Sequence, residues 1–161
     1  MNREKRSALV RLAAWIILIG YGACLLYWMF VGFGRTALSS GDLSYNLIPL
    51  RTISDYFLHY QSFTFRTWAI NIIGNIGVFV PIGAAMPVVF PKCRTYFPFL
   101  GRFAVAIVVL ETLQTFLRAG SGDVDDLILN AIGASAGYIL YKLYARATNK
   151  DPLNEDGNFS A

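Results

Sequence analysis

The chain has very little of what soft-metal and thiol chemistry require. A single histidine, His59, and two cysteines, Cys24 and Cys93, are scattered through 161 residues. Zinc sites draw three or four His, Cys or acidic ligands into close spacing, and no such cluster exists, so no metal centre is expected. Cys24 lies in an apolar run and Cys93 in a basic loop, at different depths, which argues against a disulfide. Charge is scarce as well. Only 15% of residues are Asp, Glu, Lys or Arg, against about 25% in an average soluble domain. With 55% hydrophobic residues and a mean hydropathy of +0.47, an ordinary soluble domain is excluded. No internal repeat is present. Ala119-Gly-Ser-Gly122 lacks the Gly-Lys-Ser/Thr ending of a phosphate loop and reads as a tight turn between antiparallel helices. Ser121 has no neighbouring base to activate it.

What the chain does have is long apolar runs. Residues 12–34 and 68–90 carry no charge, residues 103–117 are interrupted by Glu111 and Gln114, and residues 127–141 carry Asn130 near their start. A spanning helix needs roughly 20 mostly apolar residues. The expectation is an all-α membrane protein, a bundle of four transmembrane helices at about 12–34, 68–90, 98–118 and 124–145. They form a single membrane domain, 1–145, followed by a polar tail, 146–161, expected to be disordered. The first run continues past Cys24 to Phe30, which favours a retained helix over a cleaved signal. In the first outer loop, residues 54–60 form a short amphipathic segment suited to the membrane interface. His59 in that setting reads as a surface group.

Orientation follows from the basic residues. The two ends and the middle loop hold ten of the 14 Lys and Arg residues: Arg3, Lys5, Arg6, Arg11, Lys92, Arg94, Arg102, Lys142, Arg146 and Lys150. Arg35, Arg51, Arg66 and Arg118 lie on the other side. Basic residues stay in the cytoplasm, so both termini are expected inside the cytoplasmic membrane. The net charge of +4 is accounted for by topology and anionic headgroups, and no nucleic-acid partner is expected.

Polar residues then gather at one depth. Asn71 and Asn75 lie near the outer end of the second run, and Glu111 and Gln114 near that of the third. Asp123, Asp126 and Asn130 open the fourth. At 1.5 Å per residue, Asn75 and Glu111 sit about 10 Å below the outer boundary. Glu111, Gln114 and Arg118 share one helix face, as do Asp123, Asp126 and Asn130. Asp123 is placed to cap the fourth helix, and Asp125 is expected to point to water. Gly133 and Gly137 form a small-residue face that suits close approach within the bundle or to a second copy, a homodimer. A carboxylate at this depth must be paired or protonated, so Glu111 and Asp126 are the candidates for acid–base work. The amides equally suit hydrogen bonds between helices. No cofactor is expected. The one alternative is a hard divalent cation on the oxygens of Glu111, Asp123 and Asp126.

These motifs resemble a known family. Asn46-Leu-Ile-Pro49 is one element, and Asn71-Ile-Ile-Gly-Asn75-Ile-Gly-Val-Phe79-Val-Pro81-Ile-Gly83 another. The third is Glu111-Thr-Leu-Gln114 with Asp123-Val-Asp-Asp126-Leu-Ile-Leu-Asn130-Ala-Ile-Gly133. Together they resemble the VanZ-like family of small bacterial membrane proteins. One departure stands out: many members place an arginine where this chain has Gly120, and the nearest here is Arg118. The resemblance implies membrane residence and a link to glycopeptide (teicoplanin) resistance or envelope physiology. A ligand-binding set of Asn46, Asn71, Asn75, Glu111, Gln114, Arg118, Asp123, Asp126 and Asn130 is expected. Its partner would be a lipid-linked envelope precursor or a lipoglycopeptide at the bilayer surface. A non-enzymatic role is favoured. The alternative is an intramembrane enzyme acting on a lipid-linked substrate through Glu111 and Asp126.

Overall fold

The structure, a computed structural model, describes residues 3–31 and 45–148. Of the expected tail, 146–161, Arg146 and Ala147 close the last helix and residues from 149 onward lie outside the described residues, as does segment 32–44 with Arg35 of the expected outer loop. Among the described residues, three helices are long and apolar enough to cross a membrane: Ser7–Phe30, Phe65–Val89 and Tyr96–Phe116. Three such spans mark a membrane protein. A fourth long helix, Val124–Ala147, carries Asp125 and Asp126 in its first turn and Arg146 in its last. These charged ends shorten its apolar stretch. The first helix reaches back to Arg3, so the basic residues expected ahead of it belong to its opening turns.

The second and fourth helices share the most extensive contact in the molecule. Lipid supplies no hydrophobic drive between helices, so association rests on close packing. Three glycines allow it. A Cβ at Gly83 would overlap the Ala134 backbone, one at Gly133 the Ile76 carbonyl, and one at Gly137 the Val80 carbonyl. The Gly133 and Gly137 face is therefore used inside the bundle. A π turn at Ile17–Tyr21 interrupts the first helix and another at Ile70–Gly74 the second. The hydroxyl of Tyr21 donates to the Val78 carbonyl at 3.0 Å, joining these two helices.

The aromatic core lies toward the basic-loop end. Phe99 stacks on Tyr138 with ring centroids 4.9 Å apart, and Phe79 meets Phe103 edge-on at 5.4 Å. The Tyr138 hydroxyl donates to the Arg94 carbonyl at 2.8 Å, which anchors that loop. The polar residues occupy the opposite end. There the fold departs from pure helix: Tyr45 and Asn46 pair in parallel with Gly122 and Asp123, as strands β1 and β2. The expected tight turn at 119–122 thus ends as half of a bridge. A short helix, Arg51–Leu58, follows β1 and takes in residues 54–58 of the expected amphipathic segment, whose last residue, Tyr60, opens a 3-10 turn, Tyr60–Ser62.

Candidate functional site

The site is built on the start of the fourth helix. Asp123, its N-cap, has extended backbone (φ −126°), and its Oδ1 accepts the Asp125 N–H at 2.9 Å. The same oxygen accepts from Asn46 Nδ2 at 3.2 Å, while Oδ2 accepts the Thr52 hydroxyl at 2.6 Å. Capping and cross-linking are thus one arrangement. The Asn46 amide also donates to Thr52 Oγ1 at 3.0 Å, and its Oδ1 accepts the Ile48 N–H at 3.2 Å. Asn46-Leu-Ile-Pro49 is therefore a strap folded against Asp123.

Asp125 overturns its expectation. It is fully buried. Its Oδ1 accepts the Leu50 N–H at 2.5 Å and its Oδ2 the Ile53 N–H at 3.0 Å. The first N–H groups of any helix lack partners in their own helix. Leu50, the N-cap of the short helix, offers no side-chain cap and has φ 65°. A non-glycine residue in that left-handed region costs about 1–2 kcal/mol. Asp125 offsets the cost by supplying the missing acceptors and a negative charge at the helix N-terminus. The periodicity did contain a signal: Leu129 and Gly133, four and eight residues on, are both buried. The partner strap, distant in sequence, could not be read from it.

Asp126 faces the second helix, where Asn75 Nδ2 donates to its Oδ1 at 2.6 Å. Depth alone brings Asn75, Asp126 and Glu111 of three helices together, and the structure joins the first two of them. The charge of Asp126 reaches Tyr56 on the short helix, a residue the sequence did not single out. Burial first, then the negative charges of Asp126 and Asp123, hold the Tyr56 hydroxyl above its ordinary pKa. It stays protonated at neutral pH, a donor beside carboxylates.

The other expected residues are placed differently. Asn71 turns back on its own helix, donating to the Thr67 carbonyl at 2.8 Å. The π turn at Ile70–Gly74 changes the register between it and Asn75. Gln114 is buried and donates to the Met29 carbonyl at 2.7 Å, so it joins the third helix to the first. Glu111 is half-buried on the third helix and engaged. Arg118 is exposed and closes that helix with φ 53°. Asn130, 2% exposed, lies one turn below Asp126, and its Oδ1 has no partner among the described residues. Among the described residues, no three His, Cys, Asp or Glu side chains stand together as they would around a metal ion.

Beside this polar group lies an open pocket of about 450 Å³ lined by Tyr56, Phe57, Tyr60, Phe63, Phe65 and Trp68. Tyr56 and Phe63 are in ring contact at 4.6 Å, Phe57 meets Trp68 edge-on at 6.1 Å, and Phe65 stacks on Trp68 at 6.2 Å. Every lining residue is aromatic, and the charges of Asp126 and Asp123 act on the Tyr56 hydroxyl through space.

A family model described as VanZ/LLP1 matches residues 16–145. The chain belongs to the VanZ/LLP1 family. It is similar to Protein VanZ of Enterococcus faecium, 28% identical over 115 residues, which cover 70% of this chain and 69% of that protein. No solved structure matches. The VanZ/LLP1 match takes in every residue of the polar group, from Asn46 to Asn130. In this member of the family, the Asn46-Leu-Ile-Pro49 segment and the Asp123-Val-Asp-Asp126 segment are two halves of one clamp. The Asn75 element meets the second half from the side.

Proposed function

We propose that this VanZ/LLP1 protein sits in the bacterial cytoplasmic membrane with both termini inside. Its fourth long helix completes a four-helix bundle, and the clamped end faces outward. There it engages a lipid-anchored ligand, an envelope precursor or a lipoglycopeptide, and so bears on glycopeptide (teicoplanin) resistance. The bias of basic residues toward the ends and middle loop supports the orientation. The kinship to Protein VanZ supports the resistance link.

One observation carries the ligand reading: the aromatic pocket at the clamped end, whose Tyr56 feels the charges of Asp126 and Asp123. Aromatic faces suit the apolar sides of sugars and peptides, and the Tyr56 hydroxyl adds a directional contact. The clamp holds Tyr56 and Phe57 at the pocket edge, because Asp125 and Asp123 fix the start of their helix. Asp126 accepts from Asn75, an arrangement that suits a fixed acceptor better than a group that cycles a proton.

The test is teicoplanin and vancomycin susceptibility of cells expressing wild type, Asp126→Asn or Glu111→Gln, at matched membrane abundance. Reduced teicoplanin susceptibility with wild type, lost with Asp126→Asn, is expected. No effect from wild type would remove the resistance link, and an effect surviving both substitutions would remove the carboxylates from the site.

A further inference from the structure

At the opposite end of the molecule, the geometry points to a binding site for an anionic phospholipid in the cleft formed by Met86, Phe90, Pro91, Lys92, Cys93 and Arg102. The cleft measures about 440 Å³. It forms where the second long helix ends at Val89 and a single 3-10 turn, Pro91–Cys93, leads toward the third. Two spanning helices meet there, which places the cleft at headgroup depth.

The chemistry has two parts. The walls are side chains of Met86, Phe90 and Pro91, which offer an acyl chain contact and a headgroup nothing. The rim carries two cations. Arg102 donates through Nη1 to the Lys92 carbonyl at 3.2 Å and the Pro98 carbonyl at 2.9 Å, so its guanidinium is held beside Lys92. Neither Lys92 nor Arg102 pairs with a carboxylate among the described residues. No Asp or Glu occurs anywhere from residue 90 to residue 110. Burial pushes the Cys93 thiol up, so the cleft floor stays neutral and adds no negative charge.

Cations without a carboxylate partner among the described residues, set over an apolar cleft, call for an anion that carries its own hydrocarbon. A neutral lipid would leave the cations unused, and inorganic phosphate would leave the walls bare. Basic pockets at helix ends bind anionic headgroups by this combination. The site is independent of the ligand reading at the clamped end.

Full-length protein purified in detergent, titrated with phosphatidylglycerol or phosphatidylcholine of identical chains, tests this by native mass spectrometry. One phosphatidylglycerol is expected to remain bound under conditions that strip phosphatidylcholine. Lys92→Gln should weaken its retention roughly fivefold, and Arg102→Gln at least as much. Because Arg102 also braces the loop, its thermal melt is checked, and exposed Lys92 carries the test if that variant unfolds. Lys142→Gln, the same charge change outside the cleft, should have little effect. Equal retention of both lipids would overturn the proposal. So would a Lys142→Gln effect as large as that of Lys92→Gln, or complete displacement of lipid by inorganic phosphate.

Discussion

Asp125 is one carboxylate whose two oxygens hold backbone N–H groups 75 and 72 residues away in sequence. A donor left without its acceptor costs about 1–3 kcal/mol where it is buried, and here two part-buried donors would lose theirs. Asp125→Ala should therefore destabilise the protein by roughly 2–4 kcal/mol, while Asp125→Asn, keeping one acceptor, should cost about half. Denaturant unfolding in micelles would show this. Trypsin should also cut faster at Arg51 and Arg66 in Asp125→Ala, and unchanged cleavage would mean the strap is held by something else. A second expectation concerns Cys93, which is fully buried with its pKa pushed up. The thiolate is the reactive form, so in a Cys24→Ser background Cys93 should resist maleimide until the protein is denatured. Much of this scale was legible beforehand. Depth placed Asn75, Asp126 and Glu111 together, because membrane burial restricts where polar groups can go, and the structure joins the first two. Asp125 was not legible, since its partners are backbone groups of a distant strap. Tyr56 was not, since nothing local distinguishes it from the aromatics around it.

At the scale of elements, the apolar runs foretold the long helices, and the small-residue spacing foretold a close contact. Which partner the glycines met could not be read from one helix, because Gly133 and Gly137 suit any neighbour. The structure gives them Ile76 and Val80 of the second helix. Gly137→Val should consequently force those backbones apart. Overpacking of this kind costs about 1–3 kcal/mol or more, with loss of monodisperse protein on size exclusion. Gly20 and Gly101 have nothing within 4 Å of an added Cβ, so Gly20→Ala and Gly101→Ala should leave melting within about 0.5 kcal/mol of wild type. If Gly137→Val melted like Gly101→Ala, the close contact of second and fourth helices would be wrong. The π turns and the β1–β2 bridge escaped the sequence because each depends on tertiary fit rather than on local pattern.

For the whole molecule, the two ends differ in chemistry. One end gathers carboxylates, amides and an aromatic pocket, and the other gathers the Lys92 and Arg102 cations near an aromatic core. With the fourth helix as a crossing, Asp55→Cys should be labelled by an impermeant maleimide from outside intact cells. Lys92→Cys should be labelled only after permeabilisation. The reverse pattern would invert the proposed orientation. The pocket at the clamped end is the feature on which the functional reading depends most. The decisive measurement is teicoplanin susceptibility of cells expressing Phe57→Ala/Trp68→Ala, compared with wild type at equal abundance and equal melting temperature. Both side chains line the pocket, neither contributes to the clamp, and Phe57 is largely exposed. Loss of the wild-type effect in a folded, normally inserted protein is the expected result. Full retention of it would show that the protein acts somewhere other than this pocket.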